Sequence, residues 1–152
     1  MIQPLPLARF DSLDTPETRP TPQIRKAGLC KLVILALVGL AAFDLLRLGH
    51  NVKRISGIVR NWKTQPRVPS GDLTERVGLA VNYAAIIYPK RIECLQRSCI
   101  TVCLLRSCGV NAQMVMGAQS LPFKAHAWAE VNGRAVNERN DVQKIYSVWE
   151  RC

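Results

Sequence analysis

The sequence predicts an α+β fold in which N-terminal helices are followed by a small antiparallel sheet. Three observations predict it. Apolar and amphipathic stretches of helical period fill the early and middle chain. Strand-like alternation is confined to the end, where Asn132-Gly133 marks a hairpin. Helices that precede strands, rather than alternating with them, point to antiparallel pairing. The chain has 152 residues and is 48% hydrophobic, enough for one domain with a real core.

Residues 1–28 read as a tail. The stretch TPETRPTPQ at 15–23 is rich in Pro and Thr and has neither helical nor strand period. Residues 29–70 form an apolar and basic helical segment. Its apolar run is unbroken over residues 32–43, too short to cross a bilayer, and Asp44 and Arg47 interrupt its continuation. A buried helix is the expectation; a partner-docking or membrane-surface helix is the rival. Residues 47–67 then hold six basic side chains and no acidic ones, with Val52, Ile55, Ile58, Val59 and Trp62 between Lys53, Arg54, Arg60 and Lys63. That pattern is an amphipathic helix with a basic face.

Residues 71–152 form the core of the reading, a single domain with 29–70. TQPRVPSGD at 64–72 is a break, and Asp72 is placed to cap a helix carrying Leu73, Val77, Ala80, Val81 and Ala84. That helix ends before Pro89. CLQRSCITVCLLRSC, from Cys94, reads as a helix stopped by Gly109. NAQMVMGA (111–118), KAHAWAEV (124–131), RAVNE (134–138) and KIYSVW (144–149) read as strands. The chain has no internal repeat.

The formal charge is +10, from 21 basic and 11 acidic residues. Such a balance suits an acidic peptide, a membrane surface or a nucleic acid. The last lacks aromatic interleaving and any known motif, so no nucleic acid is expected. The six cysteines are Cys30, Cys94, Cys99, Cys103, Cys108 and Cys152. The first 28 residues hold five prolines and no apolar signal core, and four cysteines fall in one helical stretch where bridging is awkward. Free thiols in a reducing cytoplasm are the expectation. A metal site is not expected, because no C-x-x-C pair occurs and His126 is remote in sequence.

A thiol enzyme needs a thiolate, a base and a group that orients the base. Cys94 stands at a predicted helix start, where the dipole and free N–H groups lower a thiol pKa and can hold an oxyanion. Cys99 and Cys103 lie deeper in the helix and read as small hydrophobes. Of the two histidines, His50 has no partner in sight, and His126 sits on a downstream strand. Trp128 shares the His126 face, as a wall of the substrate cleft or as a core aromatic. Arg97 reads as a salt-bridge former, Gln96 as exposed, and Tyr146 and Trp149 as packing residues.

Cys94-Leu95-Gln96-Arg97-Ser98, the helix ending in Gly109, then LPFKAHAWAEVNGRAVNE and YSVW resemble the lasso-peptide leader peptidases, the transglutaminase-like B proteins of lasso-peptide biosynthesis. The resemblance covers about residues 83–149. It implies a transglutaminase-like, broadly papain-like cysteine peptidase that removes the leader from a ribosomally made precursor through a thioester, without a cofactor. Carried over by position, Cys94 is the nucleophile and His126 the base. The family's third residue is an aspartate after an asparagine, and Asn137-Glu138 stand there, so Glu138 is favoured. Asn137 and Asp141 are the alternatives. Hairpin register bears on the choice. A two-residue Asn132-Gly133 loop pairs Val131 with Arg134 and puts Asn137 on the His126 face, with Glu138 turned away; a three-residue loop sets Glu138 opposite His126.

The implied partners are the precursor peptide, a separate leader-recognition protein, since 152 residues are expected to be too few to hold that domain as well and the tail shows no such pattern, and the lasso cyclase. The docking surface expected for the recognition protein lies within residues 32–62, the stretch also open to a membrane surface. The rival functions are a transglutaminase-like acyltransferase and a non-catalytic peptide-binding module of the same fold.

Overall fold

The computed structural model describes residues 26–47, 52–66, 72–139 and 141–152. Its elements run α1 (Lys26–Arg47), α2 (Val52–Asn61), α3 (Leu73–Ile87), α4 (Cys94–Ser107), β1 (Ala112–Ser120), β2 (Phe123–Val131), β3 (Arg134–Val136), α5 (Val142–Ile145) and β4 (Ser147–Arg151). The four strands form one antiparallel sheet in the order β3-β2-β1-β4. The class is therefore α+β, helices first. The expected tail lies outside the described residues except at its end, where α1 begins at Lys26.

The core sits between the helices and one face of the sheet. Leu32, Ala36, Leu40 and Phe43 recur at helical spacing and bury one side of α1. Val77, Ala80, Val81 and Ala84 do the same for α3, and Val102 and Leu105 for α4, against Ala112, Met114, Ala127 and Ala129 of β1 and β2. Ile34, Val38 and Leu45 face outward. By length and composition Gly28–Leu46 can cross a membrane, with a mean hydropathy of 2.4, although its unbroken apolar run is shorter. In this fold α1 packs on α3 and α4 through its buried side.

Asp72 takes the N-cap position of α3 but makes no side-chain cap bond; its carboxylate instead lies 3.8 Å from Arg76, one turn on. Helix α4 ends as its Gly109 predicts. Gly109 has φ +91°, its N–H donates to Arg106 C=O, and Val110 N–H donates back to Leu105 C=O. Those two bonds satisfy carbonyls the helix end would orphan. At the other end of the chain, KIYSVW is not one strand: Lys144 and Ile145 close α5, and β4 starts at Ser147.

The far face of the sheet carries a second apolar cluster of Val115, Trp128 and Val142, with Tyr146 against it. Glu130 is buried there at 3% exposure, accepting from Trp128 Nε1 (2.7 Å), Gln143 Nε2 (2.7 Å) and Arg151. Burial raises its pKa, but these donors outweigh burial and hold it below the usual carboxylate range.

Candidate active site

Cys94 is the first residue of α4, and Glu93 before it makes no side-chain cap. The Glu93 side chain thus caps none of the first-turn N–H groups, and Leu95 N–H turns to the Cys94 thiol. His126 lies near the middle of β2, opposite Gly117. The thiol and the imidazole are within hydrogen-bonding reach, and their effects are reciprocal. His126 is the largest cause holding Cys94 below the ordinary thiol range, with Ala127 and Leu95 N–H groups adding to it. Cys94, then Glu138, hold His126 above the ordinary imidazole range against burial. The pair is biased toward thiolate and imidazolium, the reactive form of a thiol nucleophile.

His126 Nε2 lies 3.0 Å from Glu138 Oε2. With Nε2 so engaged, Nδ1 is the ring nitrogen left for the thiol. The loop between β2 and β3 is the two-residue one, with Val131 paired to Arg134 and Ala129 to Val136. In a continuing strand that register would turn Glu138 away from His126. The strand does not continue. It stops at Val136, and Asn137 takes φ +61°, a left-handed conformation that asparagine tolerates. The turn breaks the alternation and aims Glu138 back at the imidazole. Asn137 points elsewhere: its Nδ2 donates to Gly78 C=O at 2.7 Å on α3. Asp141 pairs with Arg139 at 2.9 and 3.1 Å. Of the three candidates for the third member, Glu138 is the one beside His126.

Arg97, one turn below Cys94, puts Nη2 2.8 Å from the same Glu138 oxygen. The expected salt bridge is therefore part of the site and ties α4 to the turn after β3. Trp128 is 1% exposed, which excludes it as a cleft wall. Its ring is 6.1 Å from that of His126 and nearly parallel to it, while Tyr146 lies 5.2 Å from His126. These two rings brace the imidazole. Gly117 makes room for them: a Cβ there would sit 3.0 Å from Ser147 O and 3.1 Å from Trp128 Cη2.

Gln96 is not exposed but buried at 1%. Its Nε2 donates to Leu40 C=O (3.1 Å) and Asp44 Oδ1 (3.0 Å). Asp44 also accepts from Tyr88 OH (2.7 Å) and pairs with Lys90 (2.6 Å). Burial raises the Asp44 pKa, but Lys90, Tyr88 and Gln96 together bring it below the usual carboxylate range. The acid that interrupts the apolar run thus anchors the loop leading into Cys94. A lone aspartate inside an apolar helix is the sequence signal for such an anchor, but its partners are not local.

All six cysteines are free. Cys99 is buried and shares a hydrogen bond with Cys103, which together with burial pushes its thiol far up. Among the described residues no group of His, Cys, Asp and Glu could hold a metal ion.

The sequence profile of the transglutaminase-like superfamily matches residues 37–150, from within α1 to β4. The chain belongs to the transglutaminase-like superfamily. It is also 32% identical over 56 residues to the microcin J25-processing protein McjB of Escherichia coli. That stretch is 37% of this chain and 27% of McjB, so the match spans about a quarter of the relative's length. Both findings agree with the resemblance carried by the Cys94 and His126 motifs. No solved structure matches. The superfamily match begins at residue 37 and so takes in the second half of α1.

Proposed function

We propose that this chain is a cysteine peptidase that removes the leader from a ribosomally made lasso-peptide precursor. The observation that carries this reading is the Cys94–His126–Glu138 arrangement, with imidazole between thiol and carboxylate and 3.0 Å from the latter. The similarity to a microcin-processing protein supports the substrate class.

The Cys94 thiolate attacks the carbonyl of the last leader residue. The oxyanion that forms is held by N–H groups of the first turn of α4. His126, as imidazolium, protonates the core peptide's amine as the C–N bond breaks, leaving the leader as a thioester on Cys94. A water, giving its proton to the now neutral His126, attacks the thioester. The leader leaves with a new carboxylate, and the thiolate–imidazolium pair returns. Glu138 holds His126 in orientation and favours its charged form, and Arg97 holds Glu138. The partners this reading calls for are the precursor, a leader-recognition protein and the lasso cyclase, in a cytoplasmic setting.

The test is cleavage of a candidate precursor by wild type, Cys94→Ala, His126→Ala and Glu138→Ala, read by mass spectrometry. Loss of at least about 10³-fold is expected for Cys94→Ala and His126→Ala. Full activity in Cys94→Ala would end the proposal. Products joined to an amine instead of water would identify an acyltransferase, which shares the thioester. Slow alkylation of Cys94 relative to Cys103 would point to a binding module.

A further inference from the structure

Backbone pairing along β2 leaves a short open edge beside the candidate active site. Met114 of β1 gives its N–H to Cys152 C=O (2.7 Å) and accepts from Cys152 N–H (2.9 Å). Its partner on β2 is Ala129, so in that pair the hydrogen-bonding groups face outward. With a period of two, Ala127, Ala125 and Phe123 also direct their N–H and C=O groups away from β1. The outer side of Ala129 and Val131 is covered by β3. At Ala127 it is covered by α4, because Ser98 Oγ donates to Ala127 C=O at 2.8 Å and Ala127 N–H reaches the Cys94 thiol. Beyond that, among the described residues, no strand pairs with the outer side of residues 123–125. Ala125 is exposed, Phe123 is 76% exposed, and Leu121 at the turn is 93% exposed.

The position of this edge gives it a use. Ala125 lies two residues, about 7 Å, from the N–H that touches the thiol. A chain paired with Ala125 therefore has its next residue or two at Cys94. Phe123 shares the face of Ala127 and Ala129, the face that carries α4 and its thiol. The acyl half of a substrate stays bonded to Cys94 through the thioester, so it is the half that a fixed edge has to hold.

We propose that residues 123–125 bind the leader side of the substrate peptide as an added strand. The main chain of Ala125 supplies both hydrogen bonds, and Phe123 and Leu121 supply apolar contact for its side chains. Strand addition to a free edge draws affinity from the backbone and selects through side-chain pockets. This rests on the peptidase reading and adds where the peptide lies.

The experiment measures alkylation of Cys94 in the full chain by three reagents: iodoacetamide, a tripeptidyl chloromethyl ketone, and the same ketone N-methylated at one peptide amide at a time. One methylated reagent is expected to react at least about tenfold more slowly than its parent, the loss of a main-chain hydrogen bond. Ala125→Pro removes an N–H that the β1 ladder does not use. It is expected to erase the parent reagent's advantage and leave the iodoacetamide rate unchanged. Equal rates for all methylated and unmethylated reagents on wild type would overturn the proposal, whether or not Ala125→Pro folds. A Cys94 that reacts with neither iodoacetamide nor the ketone would sink the peptidase reading itself, and the added strand with it.

Discussion

Two donors converge on one oxygen of Glu138, His126 Nε2 at 3.0 Å and Arg97 Nη2 at 2.8 Å. The carboxylate is thereby fixed in place and given a charge to share. The Cys94 thiol loses its proton below the ordinary thiol range, chiefly through His126, and the imidazolium keeps its proton above the ordinary imidazole range, chiefly through Cys94 and then Glu138. The reactive pair exists between those two limbs. At lower pH the thiol is protonated; at higher pH the neutral imidazole cannot protonate the leaving amine. Glu138→Gln keeps the shape and a hydrogen-bonding group but removes the negative charge. Its alkaline limb is therefore expected to move to lower pH. Its acid limb moves up, because a less cationic imidazole lowers the thiol less. The pH profile of kcat/KM should narrow from both sides, with a loss at the optimum of about 10²-fold. Limbs that stay in place would show that Glu138 does not act through His126. Residue identity is readable from sequence to this depth for Cys94 and His126, because a helix start and a strand are local properties. Burial of Gln96 and Trp128 is not, because it depends on α1 and Tyr146, which are distant in sequence.

The turn after β3 decides the site at the scale of elements. Counting register predicts that a two-residue hairpin turns Glu138 away, and the count fails where its assumption of a continuing strand fails, at Asn137. Asparagine tolerates such a turn, but one asparagine inside RAVNE does not outweigh the strand pattern around it. What holds it is tertiary: Asn137 Nδ2 bonds Gly78 C=O at 2.7 Å, and a Cβ on Gly78 would stand 2.3 Å from Asn137 Oδ1. Helix α3 thus positions Glu138 through the turn beside it. Gly78→Ala gains about 0.5–1 kcal/mol of helix propensity and loses a hydrogen bond of similar size, so stability should change little. Activity should fall by about tenfold or more as the turn shifts. Adding Asn137→Gly removes the obstructing side chain while keeping a residue at ease at φ +61°, and is expected to restore part of the loss. Additive losses in the double variant would show that the contact does not aim Glu138. Elsewhere the elements are legible where their signals are local: the Gly109 stop, the break before Asp72 and the Asn132-Gly133 turn. KIYSVW reads as a single strand because α5 supplies too few residues for a helical period to register.

The apolar surface left over by the fold belongs to the whole molecule. Helices α1, α2 and α4 frame a groove of about 380 Å³ lined by Leu35, Val38, Leu46, Ile58, Trp62 and Ile100, among others. Its floor includes Cys99 and Cys103, so it lies on the same helix whose first residue is Cys94. Leu35 and Val38 are 44% and 61% exposed, and together with their neighbours they make a contiguous apolar strip rather than scattered single residues. The groove lining carries no charged side chain, and the chain as a whole has a formal charge of +10, which suits a partner that offers apolar side chains beside acidic ones. A leader-recognition protein is the occupant that the peptidase reading favours, and a bilayer is the rival that α1 keeps open by its length and composition. Leu35→Glu with Val38→Glu places two charges on exposed positions, at a cost to stability of about 1 kcal/mol or less. The double variant should keep the iodoacetamide rate at Cys94 and lose co-purification with the recognition protein. Sedimentation of wild type, but not the double variant, with anionic vesicles would assign the strip to a membrane instead. Co-purification that survives both charges would place the docking surface elsewhere, because two carboxylates buried against an apolar partner without cations would cost several kcal/mol.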